Sequence, residues 1–161
     1  ASYDKAPEMS AAKITKDVLK AIDSEEYDVI ILNYANADMV SHTGDVKATI
    51  RSCEMVDQGI GAIAEHVLAR DGVLLITADH GNGEEVLNVH TGEKDKEHST
   101  NPVPLYVIGA AYQGQAGPSG DPPNGDLSLL QPVGMLADVA PTMLSIMGVK
   151  QPKEMTGRSL M

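Results

Sequence analysis

Val73-Leu74-Leu75-Ile76-Thr77-Ala78-Asp79-His80-Gly81-Asn82-Gly83 is an apolar run that stops on an acid, a histidine and two glycines. The run predicts a buried strand, and the glycines let the backbone bend so that Asp79 and His80 can converge on one ion. Upstream, Asp28-Val29-Ile30-Ile31-Leu32-Asn33 is a second β-branched run, of the kind buried on both faces of a parallel sheet. Between the two, Asp45 can cap a helix spanning residues 46 to 70, with Val46, Ile50, Cys53, Val56, Ile60, Ile63, Ala64, Val67 and Leu68 at helical spacing. Strand, long helix and strand predict a right-handed βαβ unit and an α/β fold. In such sheets ligands gather beyond the carboxyl ends of the strands, so the Asp38/His42 loop and Asp79-His80 are expected to face one crevice.

The flanking segments extend this reading. Ser10 is placed to cap an amphipathic helix through Ile22. Gly59 and Gly61 each weaken the long helix by about 1 kcal/mol relative to Ala, so close packing is expected in return. Residues 84 to 101 form a polar excursion in which Val86-Leu87-Asn88-Val89 reads as a short strand. Pro102 to Gly109 carries another strand, and His98 precedes it. His98 reaches the crevice if that strand runs antiparallel or the loop doubles back. Residues 109 to 126 are a Gly- and Pro-rich surface loop, and 138 to 148 a short helix with Pro141 in its first turn and Gly148 at its stop.

The chain has 161 residues, enough for one core, and 42% hydrophobic residues without Phe or Trp, so that core must be aliphatic. A net charge of −11 with no basic block excludes nucleic acid and anionic membrane as partners on charge grounds. An anionic substrate remains compatible, because two divalent cations would bring +4 to a site. Cys53, alone of its type, reads as a small core residue. No run approaches the ~18 residues of a membrane span and no leader pattern opens the chain, so the expected location is cytoplasmic. A start at Ala1 rather than Met fits processing or a piece of something longer.

Five side chains could form an O/N metal site: Asp38, His42, Asp79, His80 and His98. Asp38 and His42 are four apart, within about 5–6 Å on one helical face. A carboxylate and imidazole set without thiolate favours Mn, Zn or Fe. His66 reads as a surface or packing residue, His90 as a solvated loop histidine, and Ser99 as a hydroxyl that fixes a turn. No nucleophile elbow and no phosphate loop of the Walker type occur.

Three motifs, Asn33 to Asp45 (NYANADMVSHTGD), Thr77 to Asn82 (TADHGN) and Glu97 to Pro104 (EHSTNPVP), resemble the metal-binding half of the cofactor-independent phosphoglycerate mutase family, within the alkaline phosphatase superfamily. The likeness extends from Tyr3-Asp4 to Leu160. It implies an α/β three-layer sandwich with a mostly parallel central sheet, alkaline-phosphatase-like and incomplete in this fragment. Asp38, His42 and His98 would hold one divalent ion, usually manganese, and Asp79 and His80 the second. The family's nucleophilic serine and a further aspartate have no match here, nor has its inserted transferase domain. The 161 residues thus resemble the C-terminal portion of the phosphatase-like domain of a longer, monomeric enzyme. The implied reaction interconverts 3- and 2-phosphoglycerate through a phosphoserine, in glycolysis and gluconeogenesis, without 2,3-bisphosphoglycerate. The same ligands would also serve a phosphomonoesterase or a phosphopentomutase-like relative.

Overall fold

The computed structural model describes residues 2–88, 91–120 and 122–161. His90 and Val89, the end of the expected short strand, lie outside them. The chain divides into two compact units, Ala1–Gln113 and Gly114–Met161.

In the first unit three helices pack together: α1 (Ala11–Ser24), α2 (Asn36–Ser41) and α3 (Val46–Leu68). Ser10 precedes α1 without a side-chain capping bond, contrary to expectation, and Glu25 ends it in the left-handed conformation. Asp45 caps α3 as expected, accepting the Ala48 N–H at 2.9 Å. The buried face of α3 is Ala48, Thr49, Ser52, Gly59 and Ile63. Small residues there allow close helix contact, and the Thr49 and Ser52 hydroxyls donate to carbonyls of their own turn (Asp45 at 3.0 Å, Thr49 at 2.7 Å), offsetting their burial. The aliphatic stripe expected to be core is instead partly outward. Val46, Ile50 and Leu68 are exposed, and so is Cys53, which corrects its reading as a core residue. Gly59 does meet close packing, since a Cβ there would lie 2.7 Å from the Tyr34 hydroxyl and 2.8 Å from Thr15 Oγ1, whereas Gly61 faces open space.

The expected βαβ unit is not formed. Residues 28–33 make no strand and leave Ile31 83% exposed. A β-branched run becomes a strand only where a neighbour takes its N–H and C=O groups, and among the described residues none pairs with it. The named sheet has two strands, β1 (Leu74–Thr77) and β2 (Leu105–Ile108), antiparallel with Leu74 opposite Ile108 and Thr77 opposite Leu105. In place of the expected strand at 86–89, Leu87 makes an isolated bridge to Lys94.

In the second unit a 3₁₀ turn at Leu136–Asp138 leads into α4 (Val139–Ile146), and Gly148, at φ +67°, follows its end. The buried Asp138 carboxylate accepts the Arg158 and Met135 N–H groups, each at 2.8 Å, joining the two sides of the unit. The Arg158 bond foremost, then the Met135 bond, holds this carboxyl below its ordinary range.

Candidate metal centre

Asp38 lies in α2 and His42 caps its end, so spacing by four puts both on one helical face. His42 Nε2 stands 3.1 Å from Asp38 Oδ1. The α2 platform is held by Asn36, whose buried amide donates to the Pro7 and Glu8 carbonyls at 2.8 and 2.9 Å.

The antiparallel course of β2 brings in His98 from the other side. Beyond β1 the chain runs through His80 to Gly81, before β2 it runs from His98 to Ser99, and Gly81 pairs with Ser99 as an antiparallel bridge. His98 Nε2 consequently lies 3.1 Å from Asp38 Oδ1 and 3.1 Å from His42 Nε2. The His80 ring stacks on that of His98 with centroids 3.7 Å apart. One ligand atom from each of Asp38, His80 and His98 falls within 4.8 Å of the others. Asp79 stands at the rim, its side chain 85% exposed and its Oδ1 3.7 Å from His80 Nε2. Four of the five expected donors therefore converge, and Asp79 touches the group only through His80. His66 is elsewhere, paired with Asp23 at 3.0 Å.

Outer contacts set the orientation. His42 Nδ1 faces the Lys96 carbonyl at 2.5 Å and must carry the proton, which leaves the Nε2 lone pair directed at Asp38 and His98. Asn82, itself buried, donates Nδ2 to Asp38 Oδ1 at 2.7 Å. Burial alone would push the Asp38 carboxyl up. The Asn82 hydrogen bond and then the three neighbouring imidazoles outweigh it and hold the group below its ordinary range.

Three atoms rich in lone pairs thus face one another across 3.1 Å edges. Ligands at about 2.0–2.2 Å from a shared divalent ion, about 90–109° apart, have edges of about 3.0–3.5 Å, so these residues fit such an ion. The oxygen and nitrogen donor set suits Mn, Zn or Fe. Sequence reading missed the Lys96 carbonyl, Asn82 and Glu84 as supports. Backbone groups leave no sequence mark, and the partners of Asn82 and Glu84 lie as far as 44 and 17 residues away, so no local pattern points to either.

Residues 1–151 match the family model described as "Metalloenzyme superfamily". The chain is 50% identical over 160 residues to a 2,3-bisphosphoglycerate-independent phosphoglycerate mutase of Acetivibrio thermocellus, covering 99% of this chain and 28% of that protein. A second, from Clostridium novyi, is 47% identical over 161 residues, covering 99% and 29%. A crystal structure of Leishmania mexicana phosphoglycerate mutase at low cobalt concentration is similar with a TM-score of 0.79 and 30% identity, over 98% of this chain and 29% of that one. The chain thus spans less than a third of the length of these relatives. The mixed helix and sheet arrangement agrees with an alkaline-phosphatase-like domain. The match over 151 of 161 residues, on a chain that gathers a carboxylate and three imidazoles, places it in the metalloenzyme superfamily.

Proposed function

We propose that the chain is the C-terminal portion of the metal-binding, phosphatase-like domain of a cofactor-independent phosphoglycerate mutase. That enzyme interconverts 3- and 2-phosphoglycerate through a phosphoserine, in cytoplasmic glycolysis and gluconeogenesis, as a monomer that binds neither nucleic acid nor membrane. The observation that carries the reading is the meeting of Asp38 Oδ1, His42 Nε2 and His98 Nε2 at 3.1 Å from one another. Asp38, His42 and His98 would hold one manganese ion, and Asp79 and His80 would contribute to a second. When bound, the ions supply Lewis-acid neutralisation of phosphoryl charge. Asp38 supplies an anionic ligand kept ionised by Asn82. His42 turns its Nε2 toward Asp38 and His98 because its Nδ1–H is committed to the Lys96 carbonyl. His98 closes the set from the strand end.

The test uses the full-length enzyme with Mn²⁺. It should convert 3- to 2-phosphoglycerate, and His42→Ala should abolish the conversion. The isolated 161-residue chain, without a matching nucleophilic serine, should give no product. Hydrolysis of phosphate monoesters with no mutase product from the full-length protein would contradict the reading and favour a phosphomonoesterase.

A further inference from the structure

Between the two histidine-bearing segments lies a carboxylate that the metal reading does not use. Glu84 Oε2 accepts the Asn82 N–H at 2.8 Å, and Glu84 Oε1 accepts the Asn101 side-chain amide at 3.0 Å together with the Ser99 hydroxyl. Ser99 Oγ in turn accepts the Asn101 N–H at 3.3 Å, and the Ser99 N–H donates to the Gly81 carbonyl at 2.8 Å. Ser99 follows His98, and Gly81 follows His80, so these bonds join the chain immediately beyond one ligand to the chain immediately beyond the other. Gly81 makes room for the joint, since a Cβ there would collide with both Glu84 Oε1 and Ser99 Oγ. Three donors take three of the about four lone-pair sites on the two Glu84 oxygens, so its contacts tie neighbouring residues together.

We propose that Glu84 is a positioning residue that fastens the His98 segment to the His80 segment through Ser99 and Asn101, and so holds His98 in place beside Asp38 and His42. The inference rests on the metal reading above. Burial would raise the Glu84 carboxyl, but the Ser99 hydroxyl and the other donors outweigh it and keep it below its ordinary range, in line with an ionised clamp. Outer partners of metal ligands typically tune affinity 10- to 100-fold without touching the ion. Glutamine in its place keeps the shape but turns one acceptor into a donor, which then faces Asn82 N–H or the Ser99 and Asn101 donors.

The experiment titrates Mn²⁺ alone into the 161-residue chain by calorimetry and, without metal, follows amide exchange of Ser99 by NMR. Glu84→Gln should weaken Mn²⁺ binding by about tenfold and speed Ser99 exchange. Ser99→Ala should do the same, and the double variant should be little worse than either single one, because both remove one linkage. Thr142→Val, which removes a buried hydroxyl in the second unit, should change neither readout. If Glu84→Gln fails to fold, Ser99→Ala alone carries the test. Wild-type affinity in both Glu84→Gln and Ser99→Ala would overturn this proposal while leaving the metal reading intact. A wild-type chain that binds no Mn²⁺ would overturn the metal reading and this proposal with it.

Discussion

Asp38 and His42 meet across one helical turn with their ligand atoms 3.1 Å apart, while Asp79 and His80 sit side by side on a glycine bend, with Asp79 85% exposed. Both are Asp/His pairs, yet only the first is assembled by its own local structure. On a helix, residues i and i+4 share a face whatever surrounds them. On a strand end, neighbours diverge unless other groups draw them together. His80 is drawn in by stacking on His98, and Asp79 has no comparable partner among the described residues.

The largest effect should come from deleting the helical pair. His42→Ala or Asp38→Ala should weaken Mn²⁺ binding to the isolated chain by at least about 100-fold, the upper end of what outer partners alone produce, whereas Asp79→Ala should leave it within about twofold. Equal losses from the two pairs, measured calorimetrically, would erase the distinction. Asn82→Ala comes next. It removes the amide that steadies Asp38, and about tenfold should be lost.

Acidity should act on the imidazoles rather than on the carboxylate. Asp38 is held below its ordinary range and stays ionised, while an imidazole binds metal only through a nitrogen free of its proton, so protons and the ion compete for the same ring atoms. Affinity should therefore be higher at pH 8 than at pH 5.5. A flat titration series from pH 8 to 5.5 would contradict histidine ligation.

The smallest effects concern the platform beneath the helical pair. Gly59→Ala should cost about 1–3 kcal/mol in chemical denaturation by forcing the Tyr34 and Thr15 hydroxyls apart. Gly61→Ala, in open space on the same helix, should instead stabilise by up to about 1 kcal/mol. A shared sign for the two would show that α3 is not seated as described.

The same contrast governs what could be read from sequence. The i, i+4 spacing of Asp38 and His42 and the Asp45 cap are local features and appear in the structure as expected, whereas β1 is not the buried strand expected and its glycine-bent end brings in His80 without Asp79. An antiparallel β2, left open as one route for His98, is the arrangement found. What failed depends on remote neighbours. Residues 28–33 have strand composition but no paired edge, and α3 buries its small-residue face while Val46, Ile50 and Cys53 look outward. Periodicity marks an apolar stripe, but the choice between that stripe and a close-packing row of Ala, Thr, Ser and Gly is made by whichever surface packs against it. The supports of the metal centre were hidden for a related reason, since Lys96 acts through its backbone carbonyl and Glu84 through partners 15 and 17 residues away.

The most direct test of the central claim, that Asp38, His42 and His98 surround one ion, is imidazole ¹⁵N NMR of the chain titrated with Zn²⁺, a diamagnetic ion suited to the same donors. Coordination shifts should appear at Nε2 of His42 and His98, with the His42 Nδ1 proton retained and His66 unmoved. Shifts at His66, or a His42 that coordinates through Nδ1, would contradict it.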